Sequence, residues 1–245
     1  MVWVIEKRRL FTSALCICSL ACAGLVLWTG VRLSASTVSA FAPAERGRVT
    51  WIVDAGHGGE DGGAVSKDGV TESRLNLEIA FRVNDLLRFA GERTVLSRSG
   101  EEGLHTEGNT IRARKGSDIR NRVALVNEAE NGVLVSIHQN SLPSSPVTHG
   151  AQVFWNRREG GEALAYLVQD ALNAVVNTGR EKQPRKIADT IYLMKHITVP
   201  AVLVECGFLS NTEETALLQD PSHQTILAAA ITAGCLRCLA GEELP

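Results

Sequence analysis

Three strongly apolar runs of the sequence each lead to a residue that can bind a metal ion or transfer a proton. The run over residues 49–53 leads through Asp54 to His57, the run GVLVSIH ends at His138, and the run AVLVE ends at Glu205. Short apolar runs bounded by turn residues are typical of buried strands. The carboxyl ends of parallel strands meet at one edge of a sheet, so we expect these side chains to lie close together. Two imidazoles and one carboxylate are a ligand set for catalytic Zn²⁺, which keeps a fourth position for water.

Glu72 is a second candidate carboxylate, at the predicted start of a helix. Thr71 is a good N-cap residue, so Glu72 falls in the first helical turn, where the helix dipole favours the ionised carboxylate that a metal requires. Asn76 follows one turn later on the same face, where its amide could orient that carboxylate. Taken singly, each residue also has an ordinary structural interpretation, such as a strand-end histidine or a solvated first-turn glutamate. Together they predict a zinc hydrolase.

The elements that must position these residues alternate between strand and helix. Patterns typical of strands cover 49–54, 94–96, 132–138, 151–155, 191–194 and 201–205, and helical patterns cover 75–89, 119–129, 162–176 and 225–239. This alternation predicts a single α/β domain with a mostly parallel or mixed central sheet and helices on both faces. The acidic stretch 100–108, which contains His105, is predicted to be a solvated loop.

The amino-terminal segment has a different composition. Residues 10–31 contain no charged side chain and directly follow Lys7, Arg8 and Arg9. Their length matches the roughly 20 residues of a membrane-spanning helix, and the basic flank predicts that the following chain lies outside the cytoplasm. A cleaved signal peptide and an uncleaved anchor both fit this pattern. We predict an N-terminal hydrophobic helix, acting as signal peptide or membrane anchor, over 1–33, a linker over 34–47 and one functional domain over 48–245.

Composition excludes several classes of protein. The chain has 245 residues, 44% of them hydrophobic, which is typical of a globular protein. Its formal charge of −2 argues against a nucleic-acid partner. Six cysteines are too few for a disulfide scaffold. Cys206, Cys235 and Cys238 are expected to pack as small apolar residues.

Five stretches, taken in order, resemble the zinc-dependent N-acetylmuramoyl-L-alanine amidase family 3. They are DAGHGGEDGG (54–63), ESRLNL (72–77), SIHQN (136–140), GAQVF (150–154) and PAVLVECGFLSN (200–211). Arg122 and Asn127 fit the same pattern, whereas Asn131 stands where an acidic residue often precedes the SIH strand. The stretches DIRNR (118–122) and IYLM (191–194) are similar to the germination-specific, spore-cortex members of the family.

The resemblance implies roles for individual residues. Glu205 would be the catalytic carboxylate, and one Zn²⁺ would be bound by His57, Glu72 and His138. Further residues that would orient these ligands or contact substrate are Asn76, Asn140 and Arg122. His149 and His196, near predicted strand ends, are additional candidates for substrate contact.

The activity implied by the resemblance is zinc-dependent hydrolysis of the amide bond between N-acetylmuramic acid and L-alanine in peptidoglycan. It would serve spore cortex maturation through the muramic-lactam pathway, or cell-wall remodelling. The enzyme would be extracytoplasmic, held at the membrane by its N-terminal segment or secreted to the cell wall or the forespore intermembrane space, and an accessory protein could assist it. Two alternatives stay open: a zinc peptidase that cuts within the stem peptide, and a non-catalytic wall-binding protein.

Overall fold

One six-stranded sheet organises the chain. The computed structural model describes residues 49–242. Its strands are β1 (Thr50–Ala55), β2 (Arg93–Leu96), β3 (Gly132–Asn140), β4 (Gln152–Trp155), β5 (Arg185–Lys186) and β6 (Ala201–Phe208). They lie in the order β2-β1-β3-β6-β4-β5. The first four of these run parallel, β4 is antiparallel to β6, and β5 is parallel to β4. The sheet is therefore mixed, as predicted.

Helices cover both faces of this sheet. They are α1 (Glu72–Phe89), α2 (Ile111–Glu128), α3 (Gly161–Val175), α4 (Tyr192–His196), α5 (Thr212–Leu218) and α6 (Pro221–Leu239). Buried side chains of α1, α3 and α6 form the larger hydrophobic cluster with one face. Buried side chains of α2 and α4 form the smaller cluster with the other face. The predicted single α/β domain with helices on both faces is confirmed.

The strands present different residues to these two clusters. Side chains alternate between faces along a strand, so Trp51 and Val53 join the larger cluster whereas Ile52 joins the smaller one. Towards the carboxyl ends, the residues facing α2 and α4 become polar. In β3, Leu134 is followed on that face by Ser136 and then His138. This face therefore changes from core to functional surface along the strands.

Two predicted elements differ from the structure. The strand predicted over 191–194 is wrong, because Tyr192–Met194 lie in α4, where Leu193 and Met194 are both buried. Two consecutive buried residues suit a helix lying on the sheet, but a four-residue apolar run alone does not separate helix from strand. The helix predicted over 119–129 begins earlier, at Ile111, because its first turns are too polar to show apolar periodicity. The Thr110 hydroxyl caps this start by accepting a hydrogen bond from the amide of Ala113 at 3.2 Å.

The predicted N-terminal hydrophobic helix and the whole of the predicted linker lie outside the described residues. Within 49–242, no helix has both the length and the apolar character needed to cross a membrane.

Candidate metal centre and active site

Three of the predicted ligands converge at the carboxyl edge of the sheet. His57 follows β1, Glu72 begins α1 and His138 lies near the end of β3. Their potential ligand atoms all lie within 4.8 Å of one another. Glu72 Oε1 is 2.8 Å from His138 Nδ1 and 3.3 Å from His57 Nε2. Two imidazole nitrogens and a carboxylate at this spacing fit a catalytic zinc ion in donor type and number.

Glycines allow the backbone to approach this cluster closely. A Cβ atom on Gly56 would lie 2.3 Å from the His138 ring. A Cβ atom on Gly63 would lie 2.5 Å from Glu72 Oε2, and its φ of +68° also favours glycine. His57 itself has a φ of 61°, which is uncommon for a residue with a side chain. The glycine-rich segment therefore lets the main chain pack directly against the ligand side chains.

Hydrogen bonds fix the carboxylate of Glu72. Its Oε2 accepts from the amide of Ala64 at 2.8 Å, and its Oε1 accepts from the amide of Gln139 at 3.1 Å. Asn76 Nδ2 donates to Oε1 at 3.3 Å and to the Gly56 carbonyl at 3.1 Å. The predicted contact between Asn76 and Glu72 is therefore present.

The start of α1 differs from the prediction in one detail. Thr71 occupies the N-cap position, but its side chain makes no capping hydrogen bond. Burial raises the pKa of Glu72, and hydrogen bonds with His138 and His57 outweigh burial and hold the pKa far below its usual range. Glu72 is therefore ionised, the form needed by a metal ligand.

A chain of charged groups supports His57 from the other side. Its Nδ1 lies 2.9 Å from Asp61 Oδ2, and Lys115 Nζ lies 2.7 Å from Asp61 Oδ1. Burial lowers the pKa of His57, but hydrogen bonds to Asp61 and Glu72 outweigh it and raise the pKa to about 9. A carboxylate on the outer nitrogen of a ligand histidine fixes the ring and its tautomer. Sequence reasoning missed these roles of Asp61 and Lys115, although Asp61 stands four residues after His57 in the glycine-rich loop.

Arg122 acts on the backbone beneath the cluster. Its buried guanidinium pairs with Asp54 and, at 2.6 Å, with Asp118. Its Nη2 donates to the main-chain carbonyl of His57 at 2.6 Å. Arg98, which sequence reasoning missed, donates to the carbonyls of Ala55, Gly56, Gly100 and Ser73. These two arginines hold the loop after β1 in place, and neither makes a hydrogen bond to a ligand side chain.

Glu205 lies beside the cluster. Its Cα is the register partner of His138 in the parallel pairing of β3 with β6. Glu205 Oε2 is buried and has no hydrogen-bond partner among the described residues. Burial raises the pKa of Glu205 to about 7, and the charge of Glu72 acts in the same direction. A carboxylate with a pKa near 7 can accept and return a proton at neutral pH.

The other candidate residues make hydrogen bonds or stacking contacts of their own. Asn140 Oδ1 accepts from the amide of Ser141 at 2.8 Å, so its side chain shapes the turn after β3. His196 stacks on Tyr192 with ring centroids 3.9 Å apart, in the helix that precedes the amino end of β6. His196 therefore lies at the amino edge of the sheet, where its carbonyl accepts a hydrogen bond from Asn127. His149, by contrast, lies at the carboxyl edge.

The cysteines pack as predicted. The described cysteines are free: Cys206, Cys235 and Cys238. Cys206 and Cys235 are fully buried in the larger cluster, and Cys238 packs against it. Burial raises the pKa of the Cys206 thiol far above its usual range, which is typical of a structural cysteine.

Comparison with known proteins shows the family of the chain. The family Amidase_3, described as N-acetylmuramoyl-L-alanine amidase, matches residues 52–237. The germination-specific N-acetylmuramoyl-L-alanine amidase of Bacillus subtilis is 36% identical over 192 residues, covering 78% of this chain and 79% of that protein. The amidase LytC of the same organism is 30% identical over 188 residues, covering 76% of this chain and 34% of LytC.

A solved structure matches the fold as well. The CwlD amidase from Clostridioides difficile, in complex with the GerS lipoprotein, has a TM-score of 0.74 and 34% identity, covering 79% of this chain and 99% of that chain. The chain belongs to the Amidase_3 family. It is an N-acetylmuramoyl-L-alanine amidase, an enzyme that acts on peptidoglycan.

Proposed function

We propose that this amidase is zinc-dependent, with His57, Glu72 and His138 as ligands of one Zn²⁺ and Glu205 as the catalytic carboxylate. The observation that carries this proposal is the placement of Glu205. Its buried, unpartnered oxygen lies next to three donors of the type and number that catalytic zinc uses. The proton-accepting group is thus separate from the ligand set.

The residues of the site have separate roles in amide hydrolysis. Zinc held at this site would supply Lewis acidity, which would polarise the amide carbonyl and lower the pKa of bound water to about 7. Glu205 takes the proton of the attacking water and returns it to the leaving nitrogen of L-alanine. In the metal-free protein, burial raises the pKa of Glu205 to about 7, so both the ionised and the protonated forms that the two steps need are accessible. Asp61 and Arg122 keep His57 in position throughout.

The biological setting is also part of the proposal. Similarity to a germination-specific amidase and to CwlD supports a role in the spore cortex, with the rest of the cell wall as the other setting. The chain would act outside the cytoplasm, at the membrane or secreted, as the composition of residues 1–33 suggests. The GerS lipoprotein bound to CwlD supports an accessory protein for this chain too.

Product analysis tests the proposed reaction. The full chain, loaded with zinc, is incubated with purified peptidoglycan, and the released fragments are identified by mass spectrometry. We expect intact stem peptides that begin with a free L-alanine amino group. The Glu205→Gln variant should turn over at least about 10²-fold more slowly, the usual contribution of a general base. Fragments cut within the stem would support a peptidase, and unchanged turnover by Glu205→Gln would remove Glu205 as the base.

A further inference from the structure

Among the described residues beside β4 at the carboxyl edge of this amidase, the guanidinium of Arg180 has no acidic partner. Arg180 Nη1 lies 3.0 Å from His149 Nε2. His149 Nδ1 lies 2.9 Å from the carbonyl of Val147, so Nδ1 carries the proton and Nε2 accepts from Arg180. Among residues 49–242, no carboxylate lies within salt-bridge distance of Arg180. The histidine therefore holds the guanidinium while leaving most of its donors free.

The position of this pair relative to Glu205 follows from strand register. Gln152 of β4 is the antiparallel partner of Glu205. Because β4 is antiparallel to β6, moving from Gln152 back to His149 leads beyond the carboxyl edge. These three steps along the chain span at most about 10 Å, and the chain bends at Gly150, which has a φ of +91°. Arg180 and His149 thus form a wall beside β4, beyond Glu205 at the carboxyl edge.

The loop that carries Arg180 is tied firmly to the start of β4. Asn177 exchanges two hydrogen bonds of 2.9 Å with the backbone of Ala151. Lys182 Nζ donates to the Gly150 carbonyl at 2.6 Å, and the side chain of Gln152 donates to the Gln183 carbonyl at 3.0 Å. Hydrogen bonds on both sides of Arg180 hold the loop, so the backbone that carries the guanidinium has a defined position.

Other charged groups on this wall are already engaged. Lys182 is bound to a carbonyl and lies 4.9 Å from the centre of the Phe208 ring. The Glu214 carboxylate accepts from the amides of Gly150 and Phe208 at 2.6 and 2.7 Å. The Arg180 side chain bonds only to the His149 ring among the described residues, and its planar guanidinium suits a carboxylate.

We infer that Arg180, positioned by His149, binds a carboxylate of the stem peptide and so sets the substrate preference of the enzyme. This inference rests on the proposed placement of catalysis at Glu205. Beyond the scissile amide, the stem continues from L-alanine to an isoglutamate, whose α-carboxylate can be free or amidated. Two residues of extended peptide span about 7 Å, which brings that carboxylate within reach of the Arg180 side chain.

Two soluble muramoyl peptides test the inference, one with a free isoglutamate α-carboxylate and one with the carboxamide. We expect the zinc-loaded full chain to hydrolyse the carboxylate substrate with a kcat/KM at least about tenfold higher, the value of one charge-assisted hydrogen-bonded contact. Arg180→Gln should bring the ratio of the two kcat/KM values close to 1. Arg180→Lys should retain part of the preference, since lysine keeps the positive charge but lacks the planar guanidinium that binds a carboxylate through two N–H groups.

Arg157→Gln is the matched control, because Arg157 follows the opposite end of β4 and pairs with Asp189 at 2.6 Å. It should keep the wild-type ratio. A wild-type ratio near 1, or an unchanged ratio in Arg180→Gln, would overturn the inference. Failure of the proposed catalytic role would look different: Glu205→Gln would then hydrolyse both substrates at the wild-type rate.

Discussion

The two faces of the sheet differ in how they use their buried positions. The face under α1, α3 and α6 is mostly apolar, with Thr94 and Gln139 as polar residues that hydrogen-bond to Asn84 and Asn76 of α1. The face under α2 and α4 is apolar only at the amino ends, and towards the carboxyl ends it carries Asp54, Ser136, His138 and Glu205. The larger face supplies most of the stabilising burial. On the smaller face, charged and polar side chains replace part of the apolar core. The stability of this face therefore depends on ion pairs and hydrogen bonds.

The largest expected effect comes from breaking the buried ion pair on the functional face. Arg122→Met leaves Asp54 buried without its partner, which typically destabilises a protein by about 3–5 kcal/mol. Denaturant unfolding of the metal-free protein measures this loss. Arg157→Met breaks an exposed pair with Asp189 and should change stability by no more than about 1 kcal/mol. Similar losses in both variants would show that the functional face does not depend on its buried charges.

On the apolar face, stability and metal binding should separate. Leu164→Ala removes a fully buried side chain of α3 from the larger cluster, with an expected loss of about 2–5 kcal/mol in the free energy of unfolding. Zinc affinity, measured under conditions where the variant remains folded, should be unchanged, because α3 contributes no ligand. A loss of zinc affinity larger than about tenfold would mean that the two faces are coupled.

A change at Asp61, which contacts the ligand His57, is expected to alter zinc affinity. Asp61→Asn removes the carboxylate on His57 Nδ1 and should weaken zinc binding by about 10–100-fold, as changes behind a ligand histidine usually do. Competition with a chelator measures the affinity. Glu60→Gln is the neighbouring control, since Glu60 pairs with Arg114 and does not contact a ligand. Equal affinities for the Asp61 and Glu60 variants would argue against a role for Asp61.

Zinc binding should release a proton from His57, whose ring contacts Asp61. The pKa of His57 in the folded, metal-free protein is about 9, above its ordinary value of 6.5. The stability contributed by charged His57 is therefore fully present below pH 6.5 and is lost as the pH rises through 9. Zinc requires the neutral ring, so binding at pH 7.5 should release about one proton from His57. Calorimetry in two buffers of different ionisation enthalpy measures the release, and no difference between buffers would contradict the assigned pKa.

The smallest effect is expected for Cys206, which adjoins Glu205 in sequence but points into the larger cluster. Cys206→Ala should leave amidase turnover within about twofold, since the buried thiol stays protonated. Near-complete loss of turnover with zinc still bound would contradict this assignment.

The sequence predicts the site residues that depend on local pattern, and it does not predict those that depend on tertiary packing. Strand-end positions identified His57, His138 and Glu205, and helix-start reasoning identified Glu72 and Asn76, because each depends on local pattern. The partners Lys115 and Arg98 were not predicted, since each reaches the site across the fold from a distant segment. Arg122 was associated with the site through family resemblance, but its contact with the His57 carbonyl depends on tertiary packing. The error over 191–194 has the same origin, because packing of Leu193 and Met194 decided between helix and strand.

A zinc titration of the full chain tests the central claim most directly. Native mass spectrometry of the metal-free protein, wild type and two variants, measures how many ions bind as zinc is added. We predict one ion for the wild type and one for Glu205→Gln, which keeps all three ligands. His138→Ala should bind no ion at zinc concentrations that saturate the wild type. Full binding by His138→Ala, or loss of the ion in Glu205→Gln, would contradict the division between three ligands and a separate general base.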